Sequence, residues 1–337
     1  MSATGFFAKV KDSASEEVLT AIAADVEAVE NQLNQMVKSD QDLVQKVAQH
    51  TLEAGGKRLR PAFLSLAAKA TGRPFDPVRA HRLGACLEMI HMATLIHDDV
   101  VDHASQRRGR PTAAVVYGNT ASILSGDVLL AKAMVVLAKD GDLEIIRTVS
   151  GSVVEIAEGE VRELESRGEF ELDEAEHLSI LKMKTASFIE CCCRVGALIA
   201  CASPEDQTLL ASYGHHIGMA FQIADDLLDF RGDLAMTGKP QATDFREGCA
   251  TLPLIYLRPT LTDEELSFTA RKFGNGVTED EIRMICGWME ARGAYEQAQN
   301  KARVEADAAL SSLGRLPRTV EGELLRSVAE FVVSRDS

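Results

Sequence analysis

The chain has 337 residues, 46% apolar and 26% charged, enough to bury a substantial core and too apolar for a disordered polymer. With 36 Lys plus Arg against 51 Asp plus Glu, its formal charge is -15, which repels nucleic acid and anionic headgroups, so no nucleic acid partner is expected. A small anion would need local cations or metal ions to bind against that field.

From the N-terminus onward, residues 1–20 are expected to fray, with one domain over 21–337. Residues 1–12 lack the basic start, apolar block and cleavage site of a secretory signal. GGKRLRP follows, placing Lys57, Arg58 and Arg60 after the flexible pair Gly55 and Gly56. Leu83 to Val101, LGACLEMIHMATLIHDDVV, reads as an apolar helix ending in Asp98, Asp99 and Asp102. Directly behind it, QRRGRPT supplies Arg107, Arg108 and Arg110. The richest apolar stretch, Ala121 to Ala138, carries Asp127 and Lys132, and no uncharged run reaches about 18 residues, so no transmembrane segment is expected.

Between Pro111 and Pro204 there is no proline, and Ile145, Ile146, Val149, Val153, Ile156 and Ala157 repeat at helical spacing. Asp173 with Glu176, Thr262 with Glu265 and Thr278 with Glu281 have the form of capping boxes, and Ser203 before Pro204 has that of a capped start. No run of paired strands, repeat or linker stands out. The pattern predicts a single all-α domain. Seven cysteines with no C-x-x-C pair fit reduced intracellular thiols and a cytoplasmic protein, and the consecutive Cys191, Cys192 and Cys193 read as packing residues.

Asp98 and Asp102 lie four apart on one helix face, near a C-terminus whose dipole disfavours anions. A cation should offset them, and oxygen-only donors suit a hard ion such as Mg2+. Taken alone, the cluster is equally a solvated helix end. The pattern recurs in GMAFQIADDLLDF, where Asp225, Asp226 and Asp229 close a second apolar helix. Two such helices could face each other across a cavity, each needing a shared cation cluster to hold its charge. The basic clusters, with Lys184-Thr185 and Gly238-Lys239-Pro240, point to phosphate recognition. His91, two turns before Asp98 on the same face, could reach a second diphosphate, although a core histidine explains it too. His97, His103, His215 and His216 read as structural.

GGKRLRP, HDDVVD with RRGRPT, KTASF, FQIADDLLD and GKP occur in this order over about residues 30–335. In this the chain resembles the trans-type polyprenyl diphosphate synthases, the long-chain octaprenyl and heptaprenyl enzymes among them. The resemblance implies a helical bundle of the isoprenoid synthase type around a central cavity, assembled as a homodimer. It implies condensation of isopentenyl diphosphate onto an allylic diphosphate (geranyl, farnesyl or geranylgeranyl) by ionisation, condensation and elimination. Asp98, Asp99, Asp102, Asp225 and Asp229 match the ligands of the family's three Mg2+ ions, with Asp226 completing the catalytic set. Arg107, Lys184, Thr185, Gln222 and Lys239 match the other contacts to the allylic diphosphate. Lys57, Arg60, His91 and Arg108 match the isopentenyl diphosphate site, with Arg58 beside them. Six carboxylates and a diphosphate of about -3 call for about nine positive charges, which three Mg2+ ions with Arg107, Lys184 and Lys239 supply.

Two positions depart from the family pattern: Ala242 in GKPQATD, and Cys249, where EGC stands for the family's EGK. On the helix carrying Asp98, short-chain relatives have a bulky side chain where this chain has Ala93, with Thr94 beside it and Met89 a turn deeper. The small residue implies a product longer than C20, in the range C30 to C50 of quinone side chains. Two other readings are a class I terpene cyclase, which would lack GGKRLRP, and a non-catalytic subunit of a heteromeric synthase, which would lack the aspartate pairs.

Overall fold

The computed structural model describes Val10 and residues 16–232 and 241–334. The described chain is helical, as the proline-poor, three-and-four apolar spacing predicts. In chain order the helices are α1 (Glu16–Met36), α2 (Asp42–Glu53), α3 (Leu59–Ala70), α4 (Pro77–Val101), α5 (Ala113–Tyr117), α6 (Asn119–Asp140), α7 (Leu143–Ser166), α8 (Glu174–Leu181) and α9 (Ser187–Ile199). They continue as α10 (Pro204–Arg231), α11 (Thr243–Glu247), α12 (Leu252–Leu257), α13 (Asp263–Lys272), α14 (Glu279–Ala291), α15 (Ala294–Ser312) and α16 (Val320–Ser334). Five residues of π-helix, Lys182–Ala186, join α8 to α9. The expectation of no strands needs one small correction: β1 (Gln106–Arg107) pairs antiparallel with β2 (Arg110–Pro111). Arg108 and Gly109 both have positive φ, 56° and 75°, which closes this two-residue hairpin with the twist its strands need.

Packing divides the chain into two compact units. The first comprises 1–153, 191–211 and 315–328; the second comprises 154–190, 212–314 and 329–337. Most of 1–20 lies outside the described residues.

In the first unit, α4 is the central helix. Asp76 caps it by accepting from Val78 N, and Pro77 occupies the first helical position, where it loses no hydrogen bond. Its buried face includes Leu83, Leu87, Met89, Ile90 and Ile96, packed against α1, α3 and α6. Gly84 permits the approach of Pro61 and Val29, since a Cβ there would lie 3.2 Å from Pro61. Gly126 on α6 admits the ring of His97, whose Nε2 is 3.1 Å from the Ile123 carbonyl. By length and composition α6 is apolar enough to cross a membrane, with a third of its most apolar window buried. Here its inner face packs on α4, and Lys132 donates to the carbonyls of Met36 and Lys38.

The core of the second unit gathers Phe230, Phe245, Leu252, Leu254, Ile282, Ile285, Met289 and Ala298. The capping boxes expected at Thr262 with Glu265 and at Thr278 with Glu281 are both formed, and Asp173 caps α8. Glycines again set the close contacts. A Cβ on Gly159 would lie 2.8 Å from Met183 Cβ, and one on Gly218 would lie 2.7 Å from Ala186 Cα, so the π-helical turn is seated against both α7 and α10.

Candidate active site

At the tip of α4 the three aspartates do not behave alike. Asp99 is buried, and its Oδ1 accepts from Arg107 Nε at 2.7 Å. Burial raises its pKa and outweighs the lowering by Arg107. Asp98 is half-buried and Asp102 exposed. The Asp102 amide donates to the Asp98 carbonyl at 2.8 Å, which keeps the two on one face through the last helical turn. Of the ligands expected here, Asp98 and Asp102 therefore form the facing pair, while Asp99 anchors the hairpin arginine.

Beside this tip, within the same unit, lies a convergence of arginines. The GGKRLRP loop turns sharply at Arg58, which takes a left-handed conformation (φ 46°) at the start of α3. Its guanidinium is buried: Nη1 donates to Glu88 Oε1 at 2.9 Å, Nε to Glu30 Oε1 at 3.2 Å and Nη2 to the Leu52 carbonyl. Arg58, expected among the substrate contacts, is instead committed to the protein. A Cβ on Gly56 would lie 3.0 Å from the guanidinium nitrogens of both Arg58 and Arg108, so the hairpin and the loop approach closely at this glycine. Arg60 and Arg108 both have lowered pKa values, through burial first. His91 is held well below its usual value by burial and by Arg60, Arg108, Arg107 and Arg58, so at neutral pH it is uncharged. With Arg58 and Arg107 paired to Glu88 and Asp99, Arg60 and Arg108 beside a neutral imidazole form a site that an anion would stabilise. Lys57 is half-buried in the same loop.

The tip of α10 is built in the second unit on the same plan with different partners. Asp226 is buried, with Oδ2 3.1 Å from His177 Nε2 and Oδ1 accepting from Gln222 Nε2 at 3.2 Å. Gln222 in turn accepts from Thr185 Oγ1 at 3.1 Å, which links the π-helical turn to the aspartates. Such turns are frequent at functional sites. Asp225 and Asp229 are half-buried. Asp229 accepts from the Asp244 amide at 3.0 Å, and burial raises its pKa. Asp244 is raised well above the carboxylate range by burial and by Asp229, Asp226, Glu163 and Glu247. Cys249 sits in this acidic company with its thiol pushed up to about 12 by burial and by Glu163 and Asp244.

Lys184, expected to meet the diphosphate, bonds to Glu163 Oε1 at 2.6 Å and Glu160 Oε1 at 3.0 Å. Burial opposes its charge, but the two glutamates hold its pKa above the usual value. Its charge is thus already balanced, and the tally of nine positive charges loses one member. Lys239 lies outside the described residues. Ala93 and Met89 are buried on α4, and half-buried Thr94 donates to the His91 carbonyl at 2.9 Å.

Sequence reasoning missed Glu88 and His177, the partners that fix Arg58 and Asp226. A lone glutamate inside the apolar run LEMIH was the available signal for the first; nothing local marks the second.

The donor set fits a hard divalent ion, because each tip offers only carboxylate oxygens. Among the described residues no three His, Cys, Asp or Glu side chains are grouped to hold a metal. An ion here would complete its shell with water and phosphate oxygens, the usual arrangement for Mg2+.

Residues 41–286 match the family model for polyprenyl synthetase. The chain is 35% identical over 324 residues to the octaprenyl diphosphate synthase of Escherichia coli (strain K12), covering 95% of this chain and 99% of that one. Among solved structures, a decaprenyl diphosphate synthase from Rhodobacter capsulatus superposes with a TM-score of 0.89 at 33% identity, covering 95% and 98% of the two chains. A polyprenyl synthase from Caulobacter crescentus CB15, complexed with calcium and isoprenyl diphosphate, superposes with a TM-score of 0.89 at 34% identity, covering 97% and 99%. The fold, the two aspartate tips and these matches agree: the chain belongs to the polyprenyl synthetase family.

Proposed function

We propose that this protein elongates an allylic diphosphate with isopentenyl diphosphate, head to tail, to a product longer than C20 and within C30 to C50. The arginine convergence around neutral His91 carries the reading. A terpene cyclase has no isopentenyl co-substrate and no use for a second anion pocket, and both aspartate pairs are present, unlike in a non-catalytic subunit.

Isopentenyl diphosphate is bound by Lys57, Arg60, Arg108 and His91. Uncharged His91 serves as a hydrogen-bonding group there and Arg60 and Arg108 as forked cations. Asp98, Asp102, Asp225 and Asp229 would hold the Mg2+ that binds the allylic diphosphate, with Asp99 and Asp226 as supports. The Caulobacter relative is complexed with calcium and isoprenyl diphosphate, which supports this choice of a hard ion. Bound divalent ions supply charge stabilisation for the departing diphosphate. Arg107 holds the end of α4 through Asp99, and Thr185 and Gln222 hold the end of α10 through Asp226. The isopentenyl double bond attacks the allylic carbocation, and loss of a proton, taken up by the released diphosphate, ends each cycle.

In this reading the small side chain of Ala93, with Met89 and Thr94 as neighbours, sets the length of the product. Ala93→Phe should shorten the product measured by chromatography with labelled isopentenyl diphosphate; an unchanged length distribution refutes the assignment. The exposed Val115, Val116, Ile123, Leu124 and Val135 on α5 and α6 support a homodimer. Light scattering reads the mass directly, and a monomer refutes it. We place the enzyme in the cytoplasm, because it draws on water-soluble diphosphates; fractionation that recovers it only in an exported fraction would refute this.

A further inference from the structure

Glu88 is 3% exposed and lies three residues before His91 on α4. Its Oε1 takes the hydrogen bond from Arg58, while Oε2 is buried with no hydrogen-bond partner. A buried carboxylate with an unsatisfied oxygen is unfavourable for folding, and an apolar side chain would pack there at lower cost. Its charge nevertheless acts on Arg60 and on Arg108 as well as on Arg58. Arg58 meanwhile holds a left-handed backbone that side chains other than glycine rarely adopt, and it persists only where surrounding contacts enforce it.

We propose that Glu88 is a positioning residue of the isopentenyl diphosphate pocket. By gripping Arg58 it holds the left-handed turn that sets Lys57 and Arg60 in place, and it lets Arg60 and Arg108 stand close together before the anion arrives. This rests on the isopentenyl diphosphate reading given above.

The test is a set of variants, Glu88→Gln, Glu88→Asp, Arg58→Gly and the Arg58→Gly/Glu88→Gln double, assayed with both substrates varied. Glu88→Gln should raise the KM for isopentenyl diphosphate about tenfold or more, because the hydrogen bond from Arg58 loses its charged acceptor. The primer KM and kcat should stay within about threefold. Glu88→Asp should recover part of the loss. Arg58→Gly accepts the turn without the grip, so it should be impaired like Glu88→Gln, and the double variant should be no worse than the poorer single. An unchanged KM for isopentenyl diphosphate overturns the proposal, as does an equal rise in both KM values with a lowered melting temperature. A parent protein that fails to elongate refutes the synthase reading instead. Calorimetric titration of isopentenyl diphosphate then decides for Glu88: affinity weakened about tenfold by Glu88→Gln supports the role, and equal or absent binding in both proteins ends it.

Discussion

The two D-D-x-x-D tips share a sequence pattern and a helix end, yet their surroundings carry opposite charge. In both, the second aspartate is buried, 5% exposed at Asp99 and 5% at Asp226, and serves as an anchor. At the first tip the anchor holds a cation, Arg107, and further arginines crowd behind it. At the second it holds His177 and Gln222, and the crowd is acidic: Glu163 and Glu247 press on Asp244, with Cys249 where the family carries a lysine. The motif fixes which oxygens are offered. What stands behind them decides how much positive charge a ligand must bring, so under the proposed function the second tip would rely more on bound cations than the first.

Neutralising the anchors breaks the comparison most directly. Asp99→Asn should cost about 2 kcal/mol in urea unfolding, because Arg107 loses a charged acceptor. Asp226→Asn keeps acceptor and donor for its two partners and removes one anion from an acidic cluster, so its cost should stay within about 0.5 kcal/mol. Equal costs would mean that the two anchors do the same work.

Asp244 and Asp229 have folded-state pKa values above their unfolded ones, so their contribution is complete in acid and declines as pH rises through the raised values. Metal-free protein should therefore lose stability from about pH 4 toward neutrality through this pair. Asp244→Asn should flatten that decline in urea melts at successive pH values. A smaller effect is expected from Cys249→Lys, which returns a cation to the acidic cluster. It should lower the primer KM about threefold and leave the isopentenyl diphosphate KM unchanged, the second tip responding and the first not.

Much of this was legible in the chain. Period and proline placement gave the helices, and Thr262 with Glu265 and Thr278 with Glu281 marked two starts to the residue, because capping is local chemistry. The aspartate and arginine motifs could likewise be read from spacing. What could not be read is long-range pairing: Arg58 with Glu88, Asp226 with His177, and Lys184 with Glu160 and Glu163 join residues far apart in sequence or across a helix change. The π-helical turn at Lys182–Ala186 depends on Gly159 and Gly218 admitting it from two other helices, and no local signal encodes that.

The proposed function assigns Asp98 and Asp225 to the binding of an allylic diphosphate through divalent ions. Electron paramagnetic resonance of Mn2+ titrated into the protein with a non-ionisable allylic diphosphate analogue tests it without turnover. The analogue should promote Mn2+ binding in the parent, and Asp98→Asn and Asp225→Asn should each abolish the promotion; promotion that survives intact in either variant contradicts the proposed function.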